Sequence, residues 1–286
     1  MQVCRSGLKI KPKEGEHAVR REIESFFAGE KIEYFAALDY NDVCEINHGL
    51  LERNSLDARS IIVFLLPYYV GGAVNLSEYS ASLDYHILIK DVTSRLISLL
   101  RELYPENKFV GFGDHSPIDE RGAALAAGLG MLGKNGLIIN EKYGTYVFVA
   151  DVISDLSPDE LDAMKPISVL KCEGCGACLR ACPTGILRGE GEDCLSAITQ
   201  RKGELEENEV ELMRKYNTVW GCDMCQTACP HNRAPIVTPL EFFHKERIDL
   251  LTAELLDGMD DAQFEKRAFA WRKRKTIERN LKLLDY

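Results

Sequence analysis

The chain has 286 residues, of which 45% are hydrophobic and 28% charged, a composition that can bury the core of one or two globular domains. Acidic residues outnumber basic ones 45 to 35, and the net charge of −10 argues against a broad basic face that coats nucleic acid, though not against a local basic patch. No apolar run approaches the roughly eighteen residues of a membrane span and the N-terminus lacks the apolar region of a secretory signal, so we expect a soluble, cytoplasmic protein without a membrane partner.

The first 165 residues carry the patterns of a mixed α/β domain. Residues 60–70 form a continuous apolar run, which is typical of a strand buried on both faces of a central sheet. Residues 84–104 place apolar side chains at helical spacing. Further helices are predicted over 17–27 and 120–127, and further strands over 32–40, 108–114, 136–140 and 145–153, the last two as a hairpin of the same sheet.

Composition divides the chain into three parts. The polar stretch 156–166 contains two prolines and separates the first part from a cysteine-rich block. That block has few long apolar runs, so its compactness would depend on what the cysteines bind. After Pro235 the pattern is mainly helical. We therefore predict domains over 1–165 and 166–235, followed by a helical C-terminal segment over 236–286.

Eight of the ten cysteines fall between residues 172 and 229. Thiols in a reducing compartment are not kept as structural disulfides, so this density predicts metal ligation. The two early cysteines, Cys4 and Cys44, are interpreted as small hydrophobic residues.

The cysteine spacing predicts two [4Fe–4S] clusters. The segment CEGCGACLRACP follows the C-x2-C-x2-C-x3-C-P pattern, in which three cysteines bind one cluster and the fourth points to another. The segment CDMCQTACP and Cys194 supply the remaining ligands. We assign Cys172, Cys175, Cys178 and Cys229 to one cluster, and Cys182, Cys194, Cys222 and Cys225 to the other. A pair of zinc ribbons is the alternative, although zinc requires neither the third cysteine nor the proline.

Two clusters alone make an electron relay, so the α/β domain must hold whatever is reduced. Within that domain, GLGMLG at 128–133 satisfies the G-x-G-x-x-G pattern of dinucleotide sites. A Rossmann motif follows a strand and opens a helix, whereas this one follows a predicted helix and leads into a predicted strand. We interpret its glycines as the end of a helix and as a place where the backbone can approach a large flat ligand.

Acidic residues cluster where the strand 108–114 leads into the helix 120–127. Asp114 suits a turn, and Asp119 and Glu120 suit the start of a helix, where they complement its dipole. The functional alternative is a carboxyl that acts as a general acid, with a pKa lifted from about 3.9 by desolvation.

Taken together, these motifs resemble those of the epoxyqueuosine reductases. The resemblance rests on the segment from Gly113 to Ile153, the cysteine motifs, and DYH at 84–86, and it extends over roughly residues 45–282. It implies an α+β fold in which an N-terminal α/β cobalamin-binding domain, similar to the reductive dehalogenase core, precedes a ferredoxin-like domain with two [4Fe–4S] clusters and a short helical C-terminus.

The resemblance also implies an activity and a site. Electrons would pass through the clusters to base-off cobalamin, and the epoxide of epoxyqueuosine in tRNA would be reduced to the alkene of queuosine with loss of water. Asp114 would donate a proton, supported by Glu120 and Arg121. The implied partners are tRNA with a queuosine-type anticodon stem-loop and an external electron donor such as a ferredoxin or flavodoxin, and the protein would be a monomer. The residues implied around the cobalamin are Asp114, Arg53, Lys134, Asn135, Ile138, Val149, Ser196, Cys222 and Asp223.

Three features depart from this family pattern. Glu78 or a neighbour occupies the place of an arginine that is usual before DYH, and the spacing around Arg53 is shorter than expected. Longer family members also continue into a helical-repeat domain that helps to hold tRNA, whereas this sequence ends at Tyr286. The segment 266–282 contains eight basic residues against Glu278, which is typical either of phosphate contact or of a solvated helix face.

Two other functions stay open at this stage. One is a related corrinoid iron–sulfur reductase of a small molecule, which the acidic composition favours. The other is an electron carrier that reactivates a partner's corrinoid.

Overall fold

The structure is a computed structural model that describes the backbone of residues 16–286 and the side chains from residue 19 onwards, so Cys4 lies outside the described residues. The strands are β1 (Phe35–Asp39), β2 (Ser60–Pro67), β3 (Phe109–Phe112), β4 (Met131–Leu132), β5 (Ile138–Ile139) and β6 (Val147–Ser154). The helices of the first half are α1 (Glu16–Gly29), α2 (His48–Arg53), α3 (Tyr85–Leu103) and α4 (Glu120–Ala126). The later helices are α5 (Ala177–Ala181), α6 (Leu195–Gln200), α7 (Glu207–Lys215), α8 (Met224–Thr227), α9 (Ala253–Asp257), α10 (Asp261–Glu265) and α11 (Arg274–Leu283).

A four-stranded antiparallel sheet in the order β1-β2-β6-β3 forms the centre of the fold. All eight residues of β2 are buried. Because side chains alternate along a strand, Ile62 and Phe64 join a core beneath α1 and α3, whereas Ile61 and Val63 join a second core beneath α2 and α4. The predicted strand with two buried faces is therefore confirmed, and so is the long helix α3, which begins after the N-cap Asp84.

The predicted hairpin of 136–140 with 145–153 is wrong. Strand β5 pairs with β4 in a separate two-stranded sheet, and β6 enters the central sheet between β2 and β3. The physical reason is the turn at Asn140, whose side-chain oxygen accepts hydrogen bonds from the backbone nitrogens of Lys142 and Tyr143 and whose amide nitrogen donates to the Leu129 carbonyl. This turn directs the two segments into different sheets.

The glycines of 128–133 serve this small sheet. Gly128 has a φ of +72° just after α4, which confirms that the motif ends a helix. A Cβ on Gly130 would lie 2.8 Å from the carbonyl oxygen of Ile139. We expected a flat ligand to approach the backbone of these glycines closely. In the structure, strand β5 of the protein itself makes this close approach.

The C-terminal segment is helical, as predicted, and it packs against other parts of the chain. Leu76 and Ala81 share a core with Trp220 and with Phe269 and Ile277. Contacts therefore cross the predicted boundaries near 165 and 235, and the division into three parts stays a prediction.

The structure also bears on the environment of Cys44 and on membrane-spanning helices. The Cys44 side chain, interpreted as a small hydrophobic residue, is exposed and does not pack in the core. Among the described residues, no helix is both long enough and apolar enough to cross a membrane.

Candidate active site

Asp114 lies in the loop that follows β3 and is held by groups from two helices. Its φ of +61° is unusual for a residue other than glycine, and such strain is often found at functional sites. Its backbone nitrogen donates a hydrogen bond to Glu120 Oε1 at 3.1 Å, and its Oδ2 accepts one from Tyr85 Oη. His86 Nε2 lies 3.7 Å from the same Oδ2, and Asp84 Oδ1 lies 2.8 Å from His86 Nδ1. The DYH segment and the acidic loop thus meet around one carboxyl.

The acidic groups of this region have raised pKa values. Although 51% of the Asp114 side chain is exposed, the surrounding protein removes enough water to raise the pKa of its carboxyl, and Asp84 adds to the rise. Burial raises the pKa of Glu120 to about 8, with further contributions from Asp151 and Asp114. Burial also raises the pKa of Asp151 to about 7, partly offset by the nearby Ser116 and Glu120 side chains. Glu120 and Asp151 can therefore hold protons near neutral pH, and the pKa of the Asp114 carboxyl is shifted in the same direction.

Asp114 stands where two cavities meet. The first, here called the acid cavity, has a volume of about 340 Å³. Its lining includes Asp114, Glu120, Arg121, Ile138, Phe148 and Val149. The second, here called the aromatic cavity, has a volume of about 640 Å³. Its lining includes Asp114, Tyr85, His86, Phe148, Gln200 and Trp271. A ligand in either cavity would therefore have access to the Asp114 carboxyl.

Stacked rings line the aromatic cavity, and one of them, Phe148, also lines the acid cavity. The ring of Phe148 stacks on that of Tyr85 with centroids 3.8 Å apart and planes 12° apart. Tyr85 in turn stacks on His86 at 4.3 Å. Stacking locks the Tyr85 side chain, which keeps its hydroxyl directed at Asp114.

Four of the predicted cluster ligands surround a single small cavity, here called the cysteine cavity. These are Cys172, Cys175, Cys178 and Cys229. Gly174 and Gly176 have φ values of +71° and +73°, which allows the tight loop between the ligands. The backbone nitrogen of Cys172 donates to the Leu132 carbonyl at 3.1 Å, so the loop is attached to β4.

Three of the four cysteines in the second predicted set of cluster ligands, Cys194, Cys222 and Cys225, lie close together. The pKa of the Cys222 thiol is raised to about 12, mainly by burial and in part by its neighbours Cys194 and Cys225. The fourth member, Cys182, is buried at the end of α5, with its Sγ 3.8 Å from Thr184 Oγ1. Helices α5 and α8 pack against each other, which brings the two sets side by side.

The chemistry of these residues fits iron–sulfur clusters. Both sets consist of sulfur donors, the ligands that such clusters take. Asn135 lines the cysteine cavity and lies beside the Cys225 thiol, whose pKa it lowers against the larger effect of burial. Its Nδ2 is buried without a hydrogen-bond partner among the described residues. An amide donor between two sets of thiols suits the sulfur acceptors of bound clusters.

Asp223 and Glu78 connect the cluster region to the α/β domain. The Glu78 backbone nitrogen donates to Asp223 Oδ2 at 2.6 Å, and the Glu78 side chain accepts from the backbone nitrogen of Val70 at 3.0 Å. Arg247 Nη2 lies 2.8 Å from Glu78 Oε1, and both side chains are less than a tenth exposed. Glu78, at or next to the place where the family pattern has an arginine, is thus half of a buried ion pair.

The remaining predicted residues lie in four places. Cys222 and Asp223 line a third cavity of about 270 Å³, here called the Asp223 cavity. Ser196 Oγ accepts from Gln200 Nε2, which places it behind the lining of the aromatic cavity. Lys134 joins Asn135 at the cysteine cavity. Arg53 is exposed on α2, where its Nε donates to the Gly49 carbonyl, and it does not join the other predicted residues.

Sequence reasoning missed Asp151 and Gln200. Asp151 is completely buried on β6, and neither of its carboxyl oxygens makes a hydrogen bond among the described residues. Asp151 is the single carboxylate within the apolar run 145–153. This position in the sequence already indicated an acid in an unusual environment. Gln200 had no such signal, because only the packing of α6 brings it to the aromatic cavity.

Comparison with known protein families supports the cluster prediction. Residues 171–232 match a family described as a 4Fe-4S double cluster binding domain. This match confirms two [4Fe–4S] clusters over a pair of zinc ribbons. The assignment of individual cysteines to each cluster stays a prediction.

The chain as a whole is similar to curated epoxyqueuosine reductases. It is 32% identical over 239 residues to the one from Leadbetterella byssophila, and the match covers 78% of this chain and 76% of that protein. The chain belongs to the epoxyqueuosine reductase family. The reductase from Listeria monocytogenes is 35% identical over 215 residues, which cover 70% of this chain and 54% of that protein. The chain thus spans about half the length of this longer family member.

Solved epoxyqueuosine reductases have the same fold. The structure from Streptococcus thermophilus matches with a TM-score of 0.74 and 25% identity, covering 93% of this chain and 80% of that one. A second epoxyqueuosine reductase, solved with an epoxyqueuosine-modified tRNA-Tyr stem loop, matches with a TM-score of 0.70 and 23% identity over 94% of this chain and 81% of that one. The predicted α+β fold class is confirmed.

Proposed function

We propose that this protein reduces epoxyqueuosine in tRNA to queuosine, with cobalamin and two [4Fe–4S] clusters as its cofactors. The reaction takes two electrons and two protons, breaks both bonds between carbon and the epoxide oxygen, and releases that oxygen as water. The single observation that carries the proposal is the convergence, in a member of this family, of a protonatable Asp114 with two cavities beside the cluster domain.

The cavities suit a large cofactor that extends from the acid loop toward the cluster domain. Residues 145–149 border three cavities, because Val149 lines the acid cavity, Phe148 the aromatic cavity and Tyr146 the Asp223 cavity. Ile138 and Val149 would hold one side of the cofactor, and Cys222 and Asp223 the other. When bound, cobalamin would supply the metal-centred reducing chemistry that no amino-acid side chain provides.

Within this site the protein's own residues would hold and deliver the proton and would exclude water. Asp114 would hold a proton at its carboxyl, and the hydroxyl of Tyr85 would orient that carboxyl through its hydrogen bond to Oδ2. The stacked rings of Tyr85 and Phe148 would keep water from the reacting oxygen.

A basic surface beside the aromatic cavity supports RNA as the substrate. A cavity of about 530 Å³, here called the basic cavity, is lined by Lys202, Gly203, Glu204, Arg272, Lys273, Lys275, Thr276 and Arg279. The Arg272 guanidinium lies 3.9 Å from the ring centroid of Trp271, which is 55% exposed and lines the aromatic cavity. A base in the aromatic cavity would therefore leave its backbone phosphates near these cations.

Five of the eight basic residues of 266–282 fall into two groups. Arg267, Arg274 and Arg279 donate hydrogen bonds to backbone carbonyls and so have structural roles. Lys273 and Lys275 are exposed at the basic cavity and are the candidates for phosphate contact.

The decisive experiment is turnover of an epoxyqueuosine-modified anticodon stem-loop. Anaerobically reconstituted protein with added cobalamin and a strong reductant should yield queuosine. Cobalamin uptake without turnover of the stem-loop would favour a small-molecule reductase, and intact clusters without cobalamin uptake would favour an electron carrier. In the cell, we place the activity in the cytoplasm, in a monomer that receives electrons from a ferredoxin or flavodoxin.

A further inference from the structure

This inference rests on the proposed function and concerns the second proton. Conversion of an epoxide to an alkene and water requires two protons, one for each new O–H bond of the water. The Asp114 carboxyl holds one proton at a time. A second acid must therefore serve the same cavity, or Asp114 must be reprotonated within each turnover.

Glu120 occupies the required position. It is the first residue of α4, is partly buried, and lines the acid cavity together with Asp114. Its Oε1 accepts a hydrogen bond from the Asp114 backbone nitrogen at 3.1 Å, so the side chain is held next to the acid loop. Its other oxygen, Oε2, has no part in that contact.

The groups that face Glu120 are mostly acidic. Asp151 approaches from β6, Asp114 from the loop after β3, and Asp119 from the N-terminus of its own helix. Arg121 follows in sequence, but its Nη1 donates to the Gly136 carbonyl at 2.7 Å. Carboxyls gathered in this way cannot all ionise at modest cost, because like charges repel and burial removes their water.

We propose that Glu120 is the second acid of the reaction and delivers the proton that completes the departing water. In this step the Glu120 O–H bond breaks, a new O–H bond forms on the substrate hydroxyl, and the second carbon–oxygen bond breaks. The two electrons that the bound cofactors would supply end in the new carbon–carbon double bond, and Glu120 is left as a carboxylate. The raised pKa of Glu120, about 8, is consistent with a proton available at neutral pH.

Two substitutions separate proton delivery from positioning. Glu120→Gln keeps an oxygen that can accept from the Asp114 nitrogen but carries no acidic proton, whereas Glu120→Ala loses both. We expect Glu120→Gln to reduce single-turnover rates by about 100-fold or more, the lower range for general acid catalysis. Cluster and corrinoid absorption spectra should stay unchanged. The control Glu102→Gln makes the same chemical change on the exposed surface of α3 and should leave turnover unaffected.

A pH profile and an infrared titration give independent readouts. Wild-type turnover should fall as the pH rises through about 8, where Glu120 loses its proton, and this alkaline limb should be absent from the residual activity of Glu120→Gln. The carboxylic acid C=O band that titrates in that range should also disappear in Glu120→Gln. Turnover of Glu120→Gln within about twofold of wild type, with Glu120→Ala impaired, would show a positioning role and overturn the proposal. Absence of wild-type turnover would instead refute the proposed function.

Discussion

The proposed chemistry depends on one carboxyl, that of Asp114, whose pKa is raised above its ordinary value by burial. Asp114 lies between a tyrosine hydroxyl and a histidine ring, and its backbone is tied to Glu120. Its positive φ is one that asparagine adopts readily. Substitution by asparagine therefore tests the proton alone, without a large change in backbone energy.

We expect Asp114→Asn to retain the cluster and corrinoid spectra and to lose turnover by at least about 100-fold, because the amide has no acidic proton. Single-turnover assays of the modified stem-loop measure the effect. Tyr85→Phe, which removes the hydrogen bond to Oδ2 but leaves the acid, should cause a smaller loss. Near-normal rates in Asp114→Asn would rule out its role as proton donor.

At the scale of elements, the Glu78–Arg247 ion pair joins the segment before α3 to the segment after residue 240. Both side chains are almost fully buried, and Glu78 also accepts hydrogen bonds from the backbone of Val70 and Gly71. Removing one partner leaves a buried charge without compensation, whereas removing both does not.

We expect Arg247→Met to lower the free energy of unfolding by about 3–5 kcal/mol, the usual cost of breaking a buried pair. The double variant Glu78→Gln with Arg247→Met should recover part of that loss. Anaerobic denaturant titration of the cluster-loaded protein measures both. If the single and double variants are equally stable, the pair does not stabilise the fold in this way.

Helix α5 packs against α8, and under the predicted assignment each cluster would take ligands from both cysteine motifs. We expect Cys225→Ala to reduce the bound iron from about eight to about four atoms per chain and to destabilise the second domain, since cluster binding contributes to folding. Cys44→Ala, which removes an exposed thiol outside both sets, should keep the full iron content. Iron analysis of anaerobically purified protein distinguishes these outcomes, and full iron content in Cys225→Ala would contradict the ligand assignment.

On the scale of the whole molecule, a net charge of −10 coexists with a local basic cavity next to the aromatic cavity. We expect Lys275→Glu to weaken binding of the anticodon stem-loop and to reduce the slope of log affinity against log salt by about one. Lys90→Glu, the same charge change on the exposed surface of α3, should have little effect. Equal effects of the two variants would mean that only the overall charge matters.

Features that depend on neighbouring residues in the sequence were predictable, whereas features that depend on contacts between distant residues were not. The apolar run of β2 and the helical spacing of α3 are local patterns, and both elements appear where they were predicted. The pairing of β4 with β5 was missed, because strands of two residues carry almost no periodicity and their partners are selected by contacts such as that of Asn140 with Leu129. The burial of Asp151 was also missed, although a lone acid in an apolar strand pattern indicates an unusual acid; its neighbours Ser116 and Glu120 depend on tertiary packing.

The sequence by itself determined the number and type of the clusters, since the cysteine spacing in each motif reflects the geometry of a bound cubane. It also located the acid loop. Only the tertiary structure decided that Tyr85 and Glu120 contact Asp114, that Asp151 lies beside Glu120, and that Trp271 lines the aromatic cavity. The physical reason is that periodicity and spacing describe one element at a time, whereas contact between elements distant in the chain is decided by how their side chains pack.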